Sequence, residues 1–295
     1  MAVFRGSGVA IVTPFKKDDL TVNYDAFADI IEDQIEKGSD AIVVCGSTGE
    51  SATMTEQEHV EVCKFCVEQV KGRLPVVAGS GSNDTRVAIQ LSRDIAAFGA
   101  DAVLVITPYY NKATQNGLYA HFMAIDSEVD VPIIMYNVPS RTGCNLTPAT
   151  SARIFRDSKH VKGIKEASGN ISQVVELMTL TDGMIDLYSG NDDQVVPLLS
   201  MGGIGVISVV ANVAPKAMHD MCELYFEGRI EEAAKLQRDT FELFSALFSE
   251  VNPIPVKKAV ELMGFEPGPL RMPLTELESA HVEQLKKAMH GFGII

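Results

Sequence analysis

The chain has 295 residues, 46% of them hydrophobic and 7% aromatic, with no tryptophan and a formal net charge of −14. That length fits two average domains or one large α/β barrel, and it is ample for a sizeable core. The acidic balance argues against a nucleic-acid partner and against an anionic membrane surface, since both demand a basic face; an anionic substrate needs a local cationic site.

From residue 6 onward, short apolar strands alternate with amphipathic helices. Residues 8–14 read as a first strand ended by proline, followed by a helix with Phe27, Ile30, Ile31 and Ile35 at helical spacing. Residues 41–45 form the second strand and run into Gly46-Ser-Thr-Gly-Glu-Ser51. Thr55-x-x-Glu58 is a capping box that opens the next helix. Residues 75–79 and 102–110 are the third and fourth strands, and 132–139 the fifth. The helix after the fifth starts at Thr147-Pro148, a cap residue with proline at the first helical position. Residues 161–169, 186–190 and 205–210 complete a set of eight strands, with a helix over 215–226 behind the last.

The strands are almost wholly apolar rather than alternating, as expected of parallel strands covered on both faces. Eight units favour a closed (β/α)8 TIM barrel over residues 1–228, although the pattern leaves a doubly wound open sheet available. Beyond residue 228 only helices are expected, over 230–248, 256–263 and 275–289, the last opened by a Thr275-x-x-Glu278 capping box. They read as a C-terminal helical extension, 229–295, packed on the barrel. No apolar run reaches the roughly 18 residues of a membrane span, and residues 1–8 lack the plan of a signal peptide. Five cysteines without regular spacing point to reduced thiols and the cytoplasm. Cys63-x-x-Cys66, inside a helical pattern, reads as core packing rather than a zinc or redox pair.

The costliest residue is Lys165, a lysine within the Val/Gly/Ile run of the sixth strand. Desolvation leaves such an amine nucleophilic; a lysine snorkelling to water at a strand end has the same pattern. Barrel topology sets Lys165 among other polar residues at the carboxyl ends of strands, where such barrels keep their active sites. These are Ser47 and Thr48, Tyr109 and Tyr110, Tyr136 and Arg141, and Gly190-Asn191-Asp192. Each has a bland alternative as a core tyrosine, a turn or a surface arginine. Asp192-Asp193 resembles a metal pair only superficially and reads as a solvated loop or helix start. Together the set suits Schiff-base chemistry on a 2-oxo acid: an amine to form the iminium, hydroxyls to relay protons, and a guanidinium for a carboxylate. No carboxylate–histidine cluster, G-x-S-x-G elbow or phosphate loop is present, so neither a metal nor a cofactor is expected.

Gly46-Ser-Thr-Gly-Glu50, Tyr136-Asn-Val-Pro-Ser-Arg-Thr-Gly143 and Gly163-Ile-Lys-Glu-Ala-Ser-Gly169 resemble the pyruvate-dependent class I aldolase/lyase family. The resemblance runs along essentially the whole chain, including Pro108-Tyr-Tyr-Asn111 and Asn252-Pro-Ile-Pro-Val-Lys257. Arg141 favours its synthase branch over the sialic-acid lyase branch, where an arginine at this place is typically absent. The resemblance implies condensation of pyruvate with L-aspartate 4-semialdehyde in lysine and diaminopimelate biosynthesis. It makes Lys165 the Schiff-base residue, Tyr136 the proton donor, and Thr48 and Tyr110 the rest of the relay, with Ser47 beside them. Arg141 receives the aldehyde's carboxylate, and Thr48, Gly190 and Ile207 contact substrate. Tyr110 reaching in from a neighbouring subunit implies a homotetramer. Another 2-oxo-acid lyase and a non-catalytic pyruvate-binding barrel are the alternatives.

The resemblance also implies a lysine-feedback site at Ser51, Ala52, His59, Asn83 and Tyr109. Here Glu56 and Val87 stand where lysine-sensitive relatives carry a histidine and a glutamate. Losing the carboxylate that holds lysine's amino group removes a charge-assisted contact, so weak or absent lysine inhibition is expected.

Overall fold

The computed structural model describes residues 2–295. Eight parallel strands close into a barrel in chain order: β1 (Gly6–Ala10), β2 (Ala41–Val44), β3 (Val76–Gly79), β4 (Ala102–Ile106), β5 (Ile133–Asn137), β6 (Val161–Glu166), β7 (Asp186–Ser189) and β8 (Gly205–Ser208). β1 closes on β8 with Gly6 opposite Gly205. A Cβ on Gly205 would lie 2.0 Å from the Gly6 carbonyl oxygen, so the seam requires glycine there. The surrounding helices are α1 (Tyr24–Glu36), α2 (Glu56–Val70), α3 (Thr85–Ala97), α4 (Gln115–Asp126), the short α5 (Pro139–Thr142), α6 (Pro148–Asp157), α7 (Ile171–Leu180), α8 (Val195–Ser200) and α9 (Pro215–Phe226).

Strand alternation splits the core in two. Ala41, Val43, Ala102, Leu104, Ile134, Tyr136, Tyr188 and Ile207 point inward and fill the barrel. Their neighbours Ile42, Val44, Val103, Val105, Ile133 and Met135 point outward and pack under the helices. Both sets are apolar, which hides the period of two in the sequence. Phe4 plugs the base, its ring 4.4 Å from that of Tyr188, whose hydroxyl donates to the Phe4 carbonyl at 2.7 Å.

The extension consists of α10 (Ile230–Asp239), α11 (Phe241–Leu247), α12 (Ile254–Leu262) and α13 (Ser279–Phe292). Several expectations change; the first strand, for one, is Gly6–Ala10 and stops short of Pro14. Residues 230–248 form two helices that meet at Thr240, and the fourth strand stops at Ile106, ahead of a loop carrying Tyr109 and Tyr110. The Thr275 capping box does not form. α13 starts at Ser279, and Glu250 caps it from outside: its Oε1 accepts from the Glu278 N–H at 2.9 Å and contacts His281 Nδ1 at 2.7 Å.

Candidate active site

The register of β5 and β6 sets Tyr136 directly opposite Lys165 and Asn137 opposite Glu166. Tyr136 and Lys165 face inward, and the Lys165 Nζ lies 4.4 Å from the Tyr136 ring centroid. Asn137 and Glu166 face the helices, where Glu166 accepts from Asn137 Nδ2 at 3.0 Å and from the Ser168 N–H at 2.7 Å. This outer pair pins the register above an irregularity at Ile133/Ile134. Gly190 lies against the lysine's stem, since a Cβ there would come within 3.1 Å of Lys165 Cγ.

Lys165 is 6% exposed. Burial pulls its pKa down to about 8; Asp192 opposes that pull, and Arg141 adds to it. Asp192 begins a 3-10 turn (Asp192–Gln194) as a helix start should, but it is buried rather than solvated. Its Oδ2 accepts from the Val209 and Val210 N–H groups at 2.9 and 3.1 Å, which ties β7 to the turn after Ile207. Its Oδ1 has no partner among the described residues. Burial also pushes the Tyr136 phenol upward, while Arg141 and a hydrogen bond with Ser47 pull it back.

The two hydroxyls of the Gly46–Glu50 turn therefore have different surroundings. Ser47 meets Tyr136, whereas Thr48 Oγ1 accepts from Asn252 Nδ2 at 3.0 Å. The N–H groups of Ser47 and Thr48 find no backbone acceptor among the described residues, which leaves both free to meet an acceptor from outside the chain. Arg141 donates through Nη2 to the Asn252 carbonyl at 3.0 Å. Ser47, Tyr136, Arg141 and Asn252 line a cavity of about 440 Å³. Ser51, Ala52, Glu56, His59, Val87 and Tyr109 line the same cavity. Asn83 is not among its lining residues, and its carbonyl accepts from Asn111 at 2.9 Å. Tyr110 stands apart, 90% exposed with φ at 72°.

Cys45, His59 and Cys63 bring ligand atoms within 4.8 Å of one another. Burial pushes the Cys63 thiol up, and His59 Nε2 is engaged with the Gly79 carbonyl at 2.6 Å, so the cluster has the character of core packing.

Residues 3–291 match the model of the dihydrodipicolinate synthetase family. The chain belongs to that family. It is 52% identical over 295 residues to the 4-hydroxy-tetrahydrodipicolinate synthase of Lachnoclostridium phytofermentans, covering 100% of both chains. Among solved structures, the dihydrodipicolinate synthase of Thermotoga maritima superposes with a TM-score of 0.97 at 44% identity, again over 100% of both chains. That of Cyanidioschyzon merolae, solved with lysine bound, gives 0.97 at 40% identity over 100% of both.

In this member of the dihydrodipicolinate synthetase family, sequence reasoning missed Asn252 as a neighbour of Thr48, Asp192 as a buried charge near Lys165, and the Asn137–Glu166 brace. Asn252 lies 204 residues from Thr48, and nothing local to either residue signals the contact. Glu166 offered a signal: a carboxylate in an apolar strand beside the lysine.

Proposed function

We propose that the chain is a 4-hydroxy-tetrahydrodipicolinate synthase that condenses pyruvate with L-aspartate 4-semialdehyde through an imine on Lys165. The observation that carries this is a buried lysine with a pKa near 8, facing a tyrosine across one strand pair. At pH 7 roughly a tenth of such amines are unprotonated and nucleophilic. Nζ attacks C2 of pyruvate, the carbonyl oxygen takes a proton from Tyr136, and water leaves to give an iminium. Loss of a C3 proton gives the enamine, whose C3 bonds to the aldehyde carbon as the aldehyde oxygen takes up a proton to become a hydroxyl and the iminium re-forms. The amine of the second substrate then displaces Lys165 and closes the ring.

Ser47 is the hydroxyl beside Tyr136, which favours it over Thr48 as the next relay member. The turn N–H groups and Thr48 suit the pyruvate carboxylate, and Arg141 suits that of the aldehyde. Gly190 borders the lysine, and Ile207, inward-facing on β8, is assigned as a further substrate contact. Tyr110 completes the relay from a neighbouring copy in a homotetramer, a reading supported by its exposure on a loop in left-handed conformation. The reaction is assigned to the cytoplasm. Asn252, Lys257 and Arg271 tie the 229–295 extension to the barrel as one working unit.

Borohydride with pyruvate should trap one adduct on Lys165 by intact mass; no adduct sinks the proposal. Turnover of aspartate semialdehyde and none of N-acetylneuraminate separates synthase from lyase and from a non-catalytic barrel. Because Val87 puts a methyl pair where a carboxylate is needed, half-inhibition by lysine is expected only above the millimolar range, and Val87→Glu should sharpen it. Submillimolar inhibition of the parent protein overturns that expectation.

A further inference from the structure

We propose that Asn252 is a positioning residue that turns the Thr48 hydroxyl into a donor for the pyruvate carboxylate. The inference rests on the imine reading and adds to it a residue from the C-terminal extension.

A hydroxyl has one proton to give and two lone pairs that accept. Asn252 Nδ2 fills one lone pair of Thr48 Oγ1 at 3.0 Å, between side chains that are 5% and 3% exposed. With an N–H arriving from that side, the Thr48 proton must point elsewhere, and no acceptor among the described residues takes it. Among the described residues, the N–H groups of Ser47 and Thr48 beside it are also without backbone acceptors. One turn thus carries three uncommitted donors, a set that matches a carboxylate in a chain whose overall charge repels one. The main-chain oxygen of Asn252 meanwhile holds Arg141. A single residue therefore touches the receivers of both substrate carboxylates.

The segment that carries Asn252 is itself held in place. Lys257, further along the same segment, pairs with Glu50 at 2.7 Å, with both side chains at most 2% exposed. Two contacts, Asn252–Thr48 and Lys257–Glu50, bind the segment entering α12 to the turn after β2. The ion pair anchors the same two segments that the amide and the hydroxyl join.

The test is a double-mutant cycle on the full chain, read as the pyruvate concentration that half-saturates borohydride trapping. Asn252→Ala and Thr48→Val should each raise it about 10- to 100-fold, the effect of losing one hydrogen bond to a charged group. The double variant should be no worse than Thr48→Val alone, because Asn252 acts through Thr48. The trapping rate at saturating pyruvate should change little, as for a loss of ground-state binding. Asn252→Asp keeps the shape but draws the Thr48 proton onto itself. It should be worse than Asn252→Ala at pH 8, and its deficit against the parent should shrink toward pH 5 as the new carboxyl regains a donating proton.

Two results overturn the proposal while leaving the imine reading intact: single effects that multiply in the double variant, or an Asn252→Asp chain that saturates like the parent. Should Asn252→Asp fail to fold, the alanine–valine cycle decides alone. A parent chain that forms no pyruvate adduct overturns the imine reading, and this inference with it.

Discussion

Two lysines are buried in this molecule, and they differ in whether the proton is committed. Lys257 Nζ donates to Glu50 at 2.7 Å and to the Pro269 carbonyl at 2.8 Å, and it sits 4.2 Å from the centre of the Phe15 ring. Lys165 is shifted by burial, Asp192 and Arg141, with no hydrogen bond among the causes. Burial pulls both amines below the ordinary lysine range, but at Lys257 Glu50 opposes it through charge and a hydrogen bond together. Burial alone therefore does not make a nucleophile. A buried amine is reactive when nothing nearby is bonded to its charged form.

The same substitution at the two positions should have opposite effects. Lys165→Met should abolish the pyruvate adduct and lower turnover at least about a thousandfold. Its urea midpoint should equal or exceed that of the parent, because an unpaired buried amine gives way to an apolar chain of similar length. Residual adduct by intact mass breaks the assignment of the nucleophile.

Lys257→Met should instead cost about 3–5 kcal/mol of stability, the penalty for leaving the Glu50 charge buried without its partner. Adding Glu50→Gln should recover part of that loss, although the Arg271 N–H also uses the Glu50 carboxylate at 3.0 Å. Chemical denaturation of the three variants measures the coupling. A single variant as stable as the parent shows that the pair contributes nothing.

How far this contrast could be read from the sequence depends on what kind of signal each residue leaves. The barrel was legible because eight apolar runs, each followed by a helical pattern, can be counted without knowing which strand residues face inward. Lys165 was legible because a charge in such a run is costly. Lys257 left no comparable mark, since a lysine on an amphipathic helix is ordinary until its partner at Glu50 is known. Adjacent hydroxyls in a turn carry no periodicity, so the choice between Ser47 and Thr48 as the neighbour of Tyr136 had to come from geometry. Asp192 reads as a solvated helix start because the backbone N–H groups that hold it come from the turn after β8, well beyond it in sequence.

The pH dependence sharpens the contrast further. With a pKa near 8, the free-amine fraction of Lys165 rises about tenfold per pH unit below that value and levels above it. The rate of adduct formation at fixed, subsaturating pyruvate should follow that curve. Lys257→Met, measured where it remains folded, should leave the inflection in place, because its charge is neutralised at Glu50 and is not among the causes acting on Lys165. An inflection that moves with Lys257 means that the two amines share one field and breaks the comparison.

The smallest effect concerns Asp192, the one negative charge that acts on Lys165. Asp192→Asn preserves shape, and the amide oxygen can still accept from Val209 and Val210 as the carboxylate Oδ2 does. Only the charge is lost. Asp192 favours the protonated lysine, so removing it should lower the Lys165 pKa further and move the inflection of the trapping profile to lower pH. Below the parent's inflection the variant then holds more free amine, and there it should form adduct faster than the parent. Above the inflection the order should reverse, since a less basic amine is the weaker nucleophile and the cationic intermediate has lost its countercharge. Crossing profiles are thus the signature of Asp192 as a distant counter-ion. Parallel profiles reduce it to a backbone clamp for the turn after β8, and Lys165 then owes its reactivity to burial and Arg141 alone.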